Sequence, residues 1–313
     1  MVLKLISPAK VNLFLEVLSP RDDGFHNIST IFEKIDLSDT ITFRPIKSGI
    51  KLESNNKSLP SGSKNIAFQA AALFLKSFKI TSGLSITIDK KIPIAAGLGG
   101  GSSNAATVLL GANQVFGLRL KKQELLPLGR KLGSDVPLFL EKASFAIGEG
   151  RGDIVTALTV KAKLWHILIH PPVTVYTRDI YQEIKIEKNN LATNFTNNYE
   201  KKIDRSVMAH TIARTIEKIE RKLRLTKNSA SSITTILNYI NTILYNRLQQ
   251  VTEKKFVEVR NAKKALERYG IKPLMSGSGP TVFGLVKSRK EAIAIKDELQ
   301  RQNNWDIFIA KTF

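Results

Sequence analysis

The chain has 313 residues, 42% of them hydrophobic and 24% charged, with a formal net charge of +21 and no cysteine. These proportions suit a folded protein of one large or two medium domains. The missing cysteines exclude disulfides, zinc–thiolate centres and a cysteine nucleophile. No run of about 18 apolar residues offers a membrane span.

Residues 2–18 alternate as a strand, broken by Ser7-Pro8, and residues 28–46 read as two strands separated by Asp36-Leu-Ser-Asp39. A helix is expected over Asn65–Phe78, capped by Asn65, with Ile66, Phe68, Ala71, Ala72, Leu75 and Phe78 largely on one face. An alternating strand at Leu84–Lys90 runs into a glycine-rich turn and an alanine-rich helix from Asn104. A helix over Gln123–Leu132 is weakened by Pro127 and Gly129 and stopped by Gly133. Ser134-Asp135-Val136-Pro137 has the form of a helix start. Leu164–Ile169 is a buried-type strand stopped by Pro171-Pro172, and 186–230 is polar with weak periodicity except at 212–223. Helices are expected at Ile233–Leu248 and Phe256–Tyr269. A second glycine turn, Met275–Thr281, then precedes a strand at Val282–Val286, a helix at 289–301 and a strand at Trp305–Lys311. Helices and strands in this mixture point to an α+β protein with a division near residue 150.

The segment Pro93-Ile-Ala-Ala-Gly-Leu-Gly-Gly-Gly-Ser-Ser-Asn-Ala-Ala106 carries the strongest chemical signal. A glycine-rich turn between strand and helix brings backbone amides close to a ligand, and a helix N-terminus favours negative charge. The pattern is a phosphate cradle of neither common spelling. No lysine follows Gly101 as a Walker A loop requires, and Ser102 stands where a dinucleotide turn needs its third glycine. Two charged residues are less telling alone. Asp135 reads as a helix N-cap before Pro137, and Lys10 sits in an apolar strand between Ala9 and Val11, an unnatural place for a solvated lysine. His166 and His170 are four apart without an acidic partner, so no zinc site is expected. The basic residues are spread along the chain rather than massed in a stripe, so they read as solvated surface, with no nucleic-acid or membrane partner. The N-terminus lacks a signal-peptide layout, and a cytoplasmic protein is expected.

Three spaced blocks, Ser7-Pro-Ala-Lys-Val-Asn-Leu-Phe14, Pro93–Ala106 and Met275–Thr281, together resemble the GHMP kinases, a family of small-molecule kinases. The resemblance runs over nearly the whole chain. It departs at 186–230, which looks like an insertion, and at Pro172, where relatives often carry glycine. It implies a two-domain α+β fold. Residues 1–150 would form an ATP-binding domain like ribosomal protein S5 domain 2, and residues 151–313 a ferredoxin-like α/β domain carrying the insertion.

Within the family, Asp23-Gly-Phe-His26 and Gly133-Ser-Asp-Val-Pro137 imply transfer of the ATP γ-phosphoryl group to the tertiary 2-hydroxyl of a cytidine-diphosphate sugar alcohol of isoprenoid precursor formation. The resemblance makes Lys10 and Asp135 the catalytic pair, Asp135 taking the hydroxyl proton. It assigns ATP to Pro93, Ile94, Ala95, Ala96, Gly97, Leu98, Gly99, Gly100, Gly101, Ser102 and Ser103, with Asn65 and Lys90 on the adenine or phosphate side. The acceptor falls to Asn12, Phe25, His26, Thr177 and Tyr181, with Phe25 and Tyr181 on opposite faces of the base. Mg²⁺ is implied as the partner of ATP, with Ser103 near it or a phosphate and no carboxylate ligand identified. A monomer or weak homodimer acting on a small molecule is expected. Rivals are a homoserine- or mevalonate-type kinase, and a basic nucleic-acid-binding protein with an S5-like core, which gives no reason for Lys10 or Asp135.

Overall fold

The computed structural model describes residues 2–184, 207–225 and 229–313. Two compact units are interleaved along the chain. One comprises Met1–Lys10, Ile35–Ile94 and Leu98–Lys142, and the other Val11–Lys34, Ala95–Gly97 and Ala143–Phe313. The long strands β1 (Leu3–Pro20) and β2 (His26–Ile46) contribute residues to both.

In the first unit, β4 (Gly83–Asp89) runs antiparallel to β2, from Thr40 opposite Asp89 to Ile46 opposite Gly83. It runs parallel to β3 (Ile50–Ser54). Helix α1 (Ile66–Ser77) begins where the Asn65 Oδ1 accepts the Ala67 N–H at 2.8 Å, and it buries Ala67, Ala70, Ala71 and Phe74 at helical spacing. It packs on α2 (Gly100–Val115), which lies so close to β2 that a Cβ at Gly111 would fall 2.5 Å from the Phe43 ring. Helix α3 (Lys122–Leu132) runs through Pro127 and Gly129, and the short α4 (Val136–Leu140) follows.

In the second unit, β5 (Phe145–Glu149) pairs antiparallel with β2 at Thr30–Glu33 and with β6 (Ile154–Ala157). Strands β7 (Trp165–His170), β9 (Pro273–Met275), β10 (Val282–Val286) and β11 (Asp306–Lys311) form an antiparallel sheet of order β11-β7-β10-β9. Its core joins Ile167, Ile169, Val282 and Val286 to the apolar faces of α9 (Val257–Glu267) and α10 (Arg289–Gln302). Helices α5 (Thr177–Gln182), α6 (Met208–Leu225), α7 (Ser229–Ile243) and α8 (Gln249–Lys255), with the two-residue strand β8 (Tyr245–Asn246), complete the unit. No helix among the described residues is long and apolar enough to cross a membrane.

Three sequence expectations are corrected. First, Ser7-Pro8 does not interrupt β1, because the buried Ser7 hydroxyl finds partners on α2. Second, residues 28–46 form one strand rather than two. Asp36–Asp39 lies where β2 passes from its β5 register to its β4 register, and the buried Asp39 is fully engaged there. Third, the helix expected at Ile233–Leu248 ends at Ile243, and β8 replaces its last turn. Of the expected insertion, residues 186–206 and 226–228 lie outside the described residues, and the periodic stretch at 212–223 falls within helix. Residues 208–225 are regular helix that buries Ala209, Ile212, Ala213 and Ile216.

Candidate active site

The glycine turn occupies the expected place. Pro93–Gly99 connects the segment after β4 to α2, with Ile94 and Ala95 exposed and Ala96 and Leu98 buried. Gly99 is the N-cap of α2 at φ 68°, so helix geometry leaves the amides of Gly100, Gly101 and Ser102 without an intrahelical acceptor. The helix dipole adds a positive bias there. Ser103 lies one position further along the helix. Its N–H donates to the Gly99 carbonyl at 2.9 Å, and its buried hydroxyl lies 2.8 Å from that of Ser7. The Ser103 N–H is thus used within the helix, while its hydroxyl, accepting from Ser7, keeps its own O–H.

Gly97 is held by the second glycine turn. The Ser276 hydroxyl donates to the Gly97 carbonyl at 3.0 Å. Gly97 has φ 73°, and a Cβ there would lie 2.2 Å from the Ser276 carbonyl oxygen and 3.0 Å from that of Gly279. Only glycine meets both conditions. The second turn is braced by Asn246 of β8, whose Nδ2 donates to the Met275 and Gly277 carbonyls at 2.7 Å each. Thr177, at the start of α5, joins the same turn through a 2.8 Å contact with the Ser278 hydroxyl.

Lys10 and Asp135 come together. The Lys10 Nζ lies 3.6 Å from the Asp135 Oδ2, with Lys10 only 5% exposed and Asp135 28%. The Lys10 N–H donates to the Leu98 carbonyl at 3.0 Å, and a Cβ at Gly99 would lie 3.0 Å from the Lys10 Cγ, so the lysine stem runs against the turn. Asp135 occupies the N-cap position of α4, yet its side chain makes no capping bond. The carboxylate is thus turned away from the role that its sequence context suggests. With Pro137 near the helix start, one of the orphan donors a cap would satisfy is absent.

Lys90 and Asn65 are occupied. The Lys90 Nζ donates to the Asp39 Oδ2 at 2.8 Å and to the Ile92 carbonyl at 2.6 Å. Burial pushes its ammonium below the ordinary value of 10.5, while Asp39 pulls the other way. Asn65 caps α1 through Oδ1 and donates to the Pro60 carbonyl at 2.8 Å through Nδ2. Asn12 is buried on β1 and donates to the Thr30 Oγ1 at 2.8 Å.

An aromatic group sits in the second unit. The His26 and Tyr181 rings are 5.3 Å apart at 35°. Phe25 is 47% exposed, and the Arg151 guanidinium covers its ring at 4.8 Å. Arg151 is itself held by Asp153 at 3.2 Å. Tyr181 therefore contacts His26, whereas Phe25 carries a cation. Burial holds His26 below its ordinary value of 6.5. The two remaining strand histidines have separate partners, His166 with Glu33 at 3.1 Å and His170 with Thr281 at 3.1 Å.

Comparison with known proteins places this geometry in a family. The family model for the GHMP kinases N terminal domain matches residues 65–142, and that for the GHMP kinases C terminal matches 223–304. A 4-diphosphocytidyl-2-C-methyl-D-erythritol kinase of Citrifermentans bemidjiense is 37% identical over 305 residues, covering 97% of this chain and 96% of the relative. The chain belongs to the GHMP kinases. A 4-diphosphocytidyl-2-C-methyl-D-erythritol kinase of Geobacillus kaustophilus is also 37% identical, over 92% of this chain and 89% of its own. A solved 4-(cytidine 5'-diphospho)-2C-methyl-D-erythritol kinase superposes with TM-score 0.73 at 26% identity, covering 99% of this chain and 98% of that one. A homoserine kinase from Cytophaga hutchinsonii shares the fold, with TM-score 0.66 at 21% identity over 100% and 94% of the two chains.

This GHMP kinase carries residues near the site that sequence reasoning did not single out. Asp39 reads as a turn residue beside Ser38, and its burial depends on Lys90, far along the chain. Arg151 stands between two glycines with nothing local to tie it to Phe25. Ser7 and Asn104 lie inside the matched blocks, but their mutual bond of 2.9 Å joins positions that no periodicity relates.

Proposed function

We propose that this GHMP kinase transfers the γ-phosphoryl group of ATP to the 2-hydroxyl of 4-diphosphocytidyl-2-C-methyl-D-erythritol. The observation that carries the reading is 37% identity over 97% of the chain to a protein of that name. The Lys10–Asp135 pair supports it, because a phosphoryl transfer to an alcohol needs a carboxylate free of structural duty beside a cation.

In this reaction the acceptor oxygen forms a bond to the γ-phosphorus, the bond from that phosphorus to the β–γ bridging oxygen breaks, and ADP leaves. The amides at Gly100–Ser102 hold phosphate oxygens. Each charge-assisted bond contributes about 1.5–3 kcal/mol, against about 0.3–1 kcal/mol from the helix dipole, so the hydrogen bonds dominate. Asp135 orients the hydroxyl and accepts its proton. An ordinary carboxylate and an alcohol about as acidic as water differ by roughly 12 units, or about 16 kcal/mol, so full deprotonation before transfer is too costly. The proton moves late, as a loose transition state allows. Lys10, beside Asp135, draws negative charge from the transferring group.

The acceptor's base falls to Phe25, His26 and Tyr181. Neutral His26 offers one donor and one acceptor to a pyrimidine edge, and aromatic faces stack on bases. Mg²⁺ accompanies ATP. Among the described residues no group of three or more His, Asp or Glu could cage a cation. The nucleotide's phosphates and water would hold most of the ion's coordination, and no step is assigned to it.

The test is ADP release with the cytidine-diphospho acceptor, with the same sugar alcohol lacking cytidine, with homoserine and with mevalonate. Turnover with the first alone is expected. Equal turnover with the cytidine-free compound, or with homoserine or mevalonate, refutes the substrate assignment.

A further inference from the structure

We infer that Asp39 is a positioning residue for the ATP phosphates, clasping both ends of the glycine turn at once; this rests on the reading that the turn binds nucleotide. Asp39 is fully buried on β2, and every bond of its carboxylate goes to the turn's foundations. Its Oδ1 accepts the main-chain N–H of Lys91 and of Ile92, each at 2.8 Å, where the chain enters the turn. Its Oδ2 accepts the Asn104 Nδ2 at 2.8 Å, where the chain leaves it on α2, and the Lys90 Nζ at 2.8 Å. Four donors fill the capacity of an ionised carboxylate.

A second group doubles the fastening on the helix side. The Ser7 hydroxyl, from β1, donates to the Ser103 Oγ and accepts from Asn104 at 2.9 Å. The segment from Pro93 to Ser102 is therefore a loop whose two stems are tied to one buried carboxylate.

The charge arrangement suits an anion. An isolated buried carboxylate beneath a phosphate nest would repel the ligand. Lys90 neutralises it, and the ammonium lies next to the nest: a Cβ at Gly100 would be 3.1 Å from the Lys90 Nζ. Lys90 also donates to the Ile92 carbonyl at 2.6 Å, so it draws the incoming strand toward the helix start. Asp39 touches no ligand in this scheme. It acts through Lys90, Ile92 and Asn104, which set where the Gly100–Ser102 amides point.

The decisive experiment compares Asp39→Asn with wild-type enzyme and with Ala112→Gly, a helix-interior change in α2 remote from the turn. Thermal melting, ADP affinity by calorimetry and steady-state kinetics are measured for each. Asp39→Asn is expected to weaken ADP and raise the KM for ATP by about 10- to 100-fold, as a misplaced binding group does, while the KM for the acceptor stays within about twofold. Ala112→Gly is expected to lower the melting temperature without moving ADP affinity. ADP affinity in Asp39→Asn equal to wild type overturns the inference. So does an equal loss in Ala112→Gly, which would reduce Asp39 to general stability. Should Asp39→Asn fail to fold, Asn104→Ala, which removes one of the four donors, is read by the same split. Wild-type enzyme that binds no ADP would instead refute the nucleotide reading, so the two failures are distinguishable.

Discussion

Replacing Asp135 by asparagine keeps the shape of the side chain and removes its charge and basicity. The structure sets the expected size of both effects. At 3.6 Å the attraction between Lys10 and Asp135 is about 5 kcal/mol for an effective dielectric near 20. Asp135 is partly exposed, so solvent reduces this to between the ~1 kcal/mol of an open surface pair and the ~3–5 kcal/mol cost of breaking a buried one. A stability loss of about 1–3 kcal/mol is therefore expected, small enough for a folded variant. The chemical step should lose much more. Removing a positioned proton acceptor costs about 10²- to 10⁴-fold, or roughly 3–5 kcal/mol of barrier. ATP affinity should stay within about threefold, because the amides proposed to hold the phosphates are untouched. Rapid-quench single-turnover kinetics with labelled ATP separate this step from product release, and circular dichroism checks the fold. Lys10→Met should give a loss of similar size, and the double variant should be little worse than the poorer single one, since the two act as a unit. Single-turnover rates in Asp135→Asn within about threefold of wild type would refute the proposed base.

Two further outcomes are expected. Gly97→Ala places a Cβ 2.2 Å from the Ser276 carbonyl at a left-handed backbone. The backbone contributes about 1–2 kcal/mol of strain and the overpacking about 1–3 kcal/mol. A clear fall in melting temperature and a raised KM for ATP should follow, and a melting temperature within a degree of wild type would show that the two glycine turns separate freely. The second outcome concerns pH. Burial keeps His26 below 6.5, so on acidification the unfolded chain takes up its proton first. The stability this histidine contributes is intact above 6.5 and is lost as pH falls through its lower folded value. Acceptor KM should be flat from about pH 8 to 6.5 and rise below that range, and His26→Asn should abolish the rise. An inflection above 6.5 in wild type, or its persistence in His26→Asn, would count against His26 as a base contact.

What was legible in the sequence, and what was not, divides along a physical line. Local signals were enough where a residue's partner lies within one turn of helix or one strand. Asn65 capping Ala67 is a contact two residues long, and the strand and glycine turn lie where alternation and composition put them, although α2 begins at Gly100 rather than at Asn104. Long-range partners defeated the same reasoning. Asp36-Leu-Ser-Asp39 has the composition of a turn, yet β2 runs straight through it, because Asp39 is satisfied by Lys90, Lys91, Ile92 and Asn104 rather than by its neighbours. Residues 244–248 have helical composition, yet Tyr245 and Asn246 leave the helix to pair with Phe14 and Leu15 of β1 and to brace the second glycine turn. Asp135 is the opposite case, an N-cap by position whose side chain does not cap. In each instance a polar side chain departs from its local role when a distant group offers a stronger bond or a chemical task. Buried polar residues whose partners are distant in sequence are accordingly where function is to be sought in this fold, and Asp39 is one that the recognised motifs leave out.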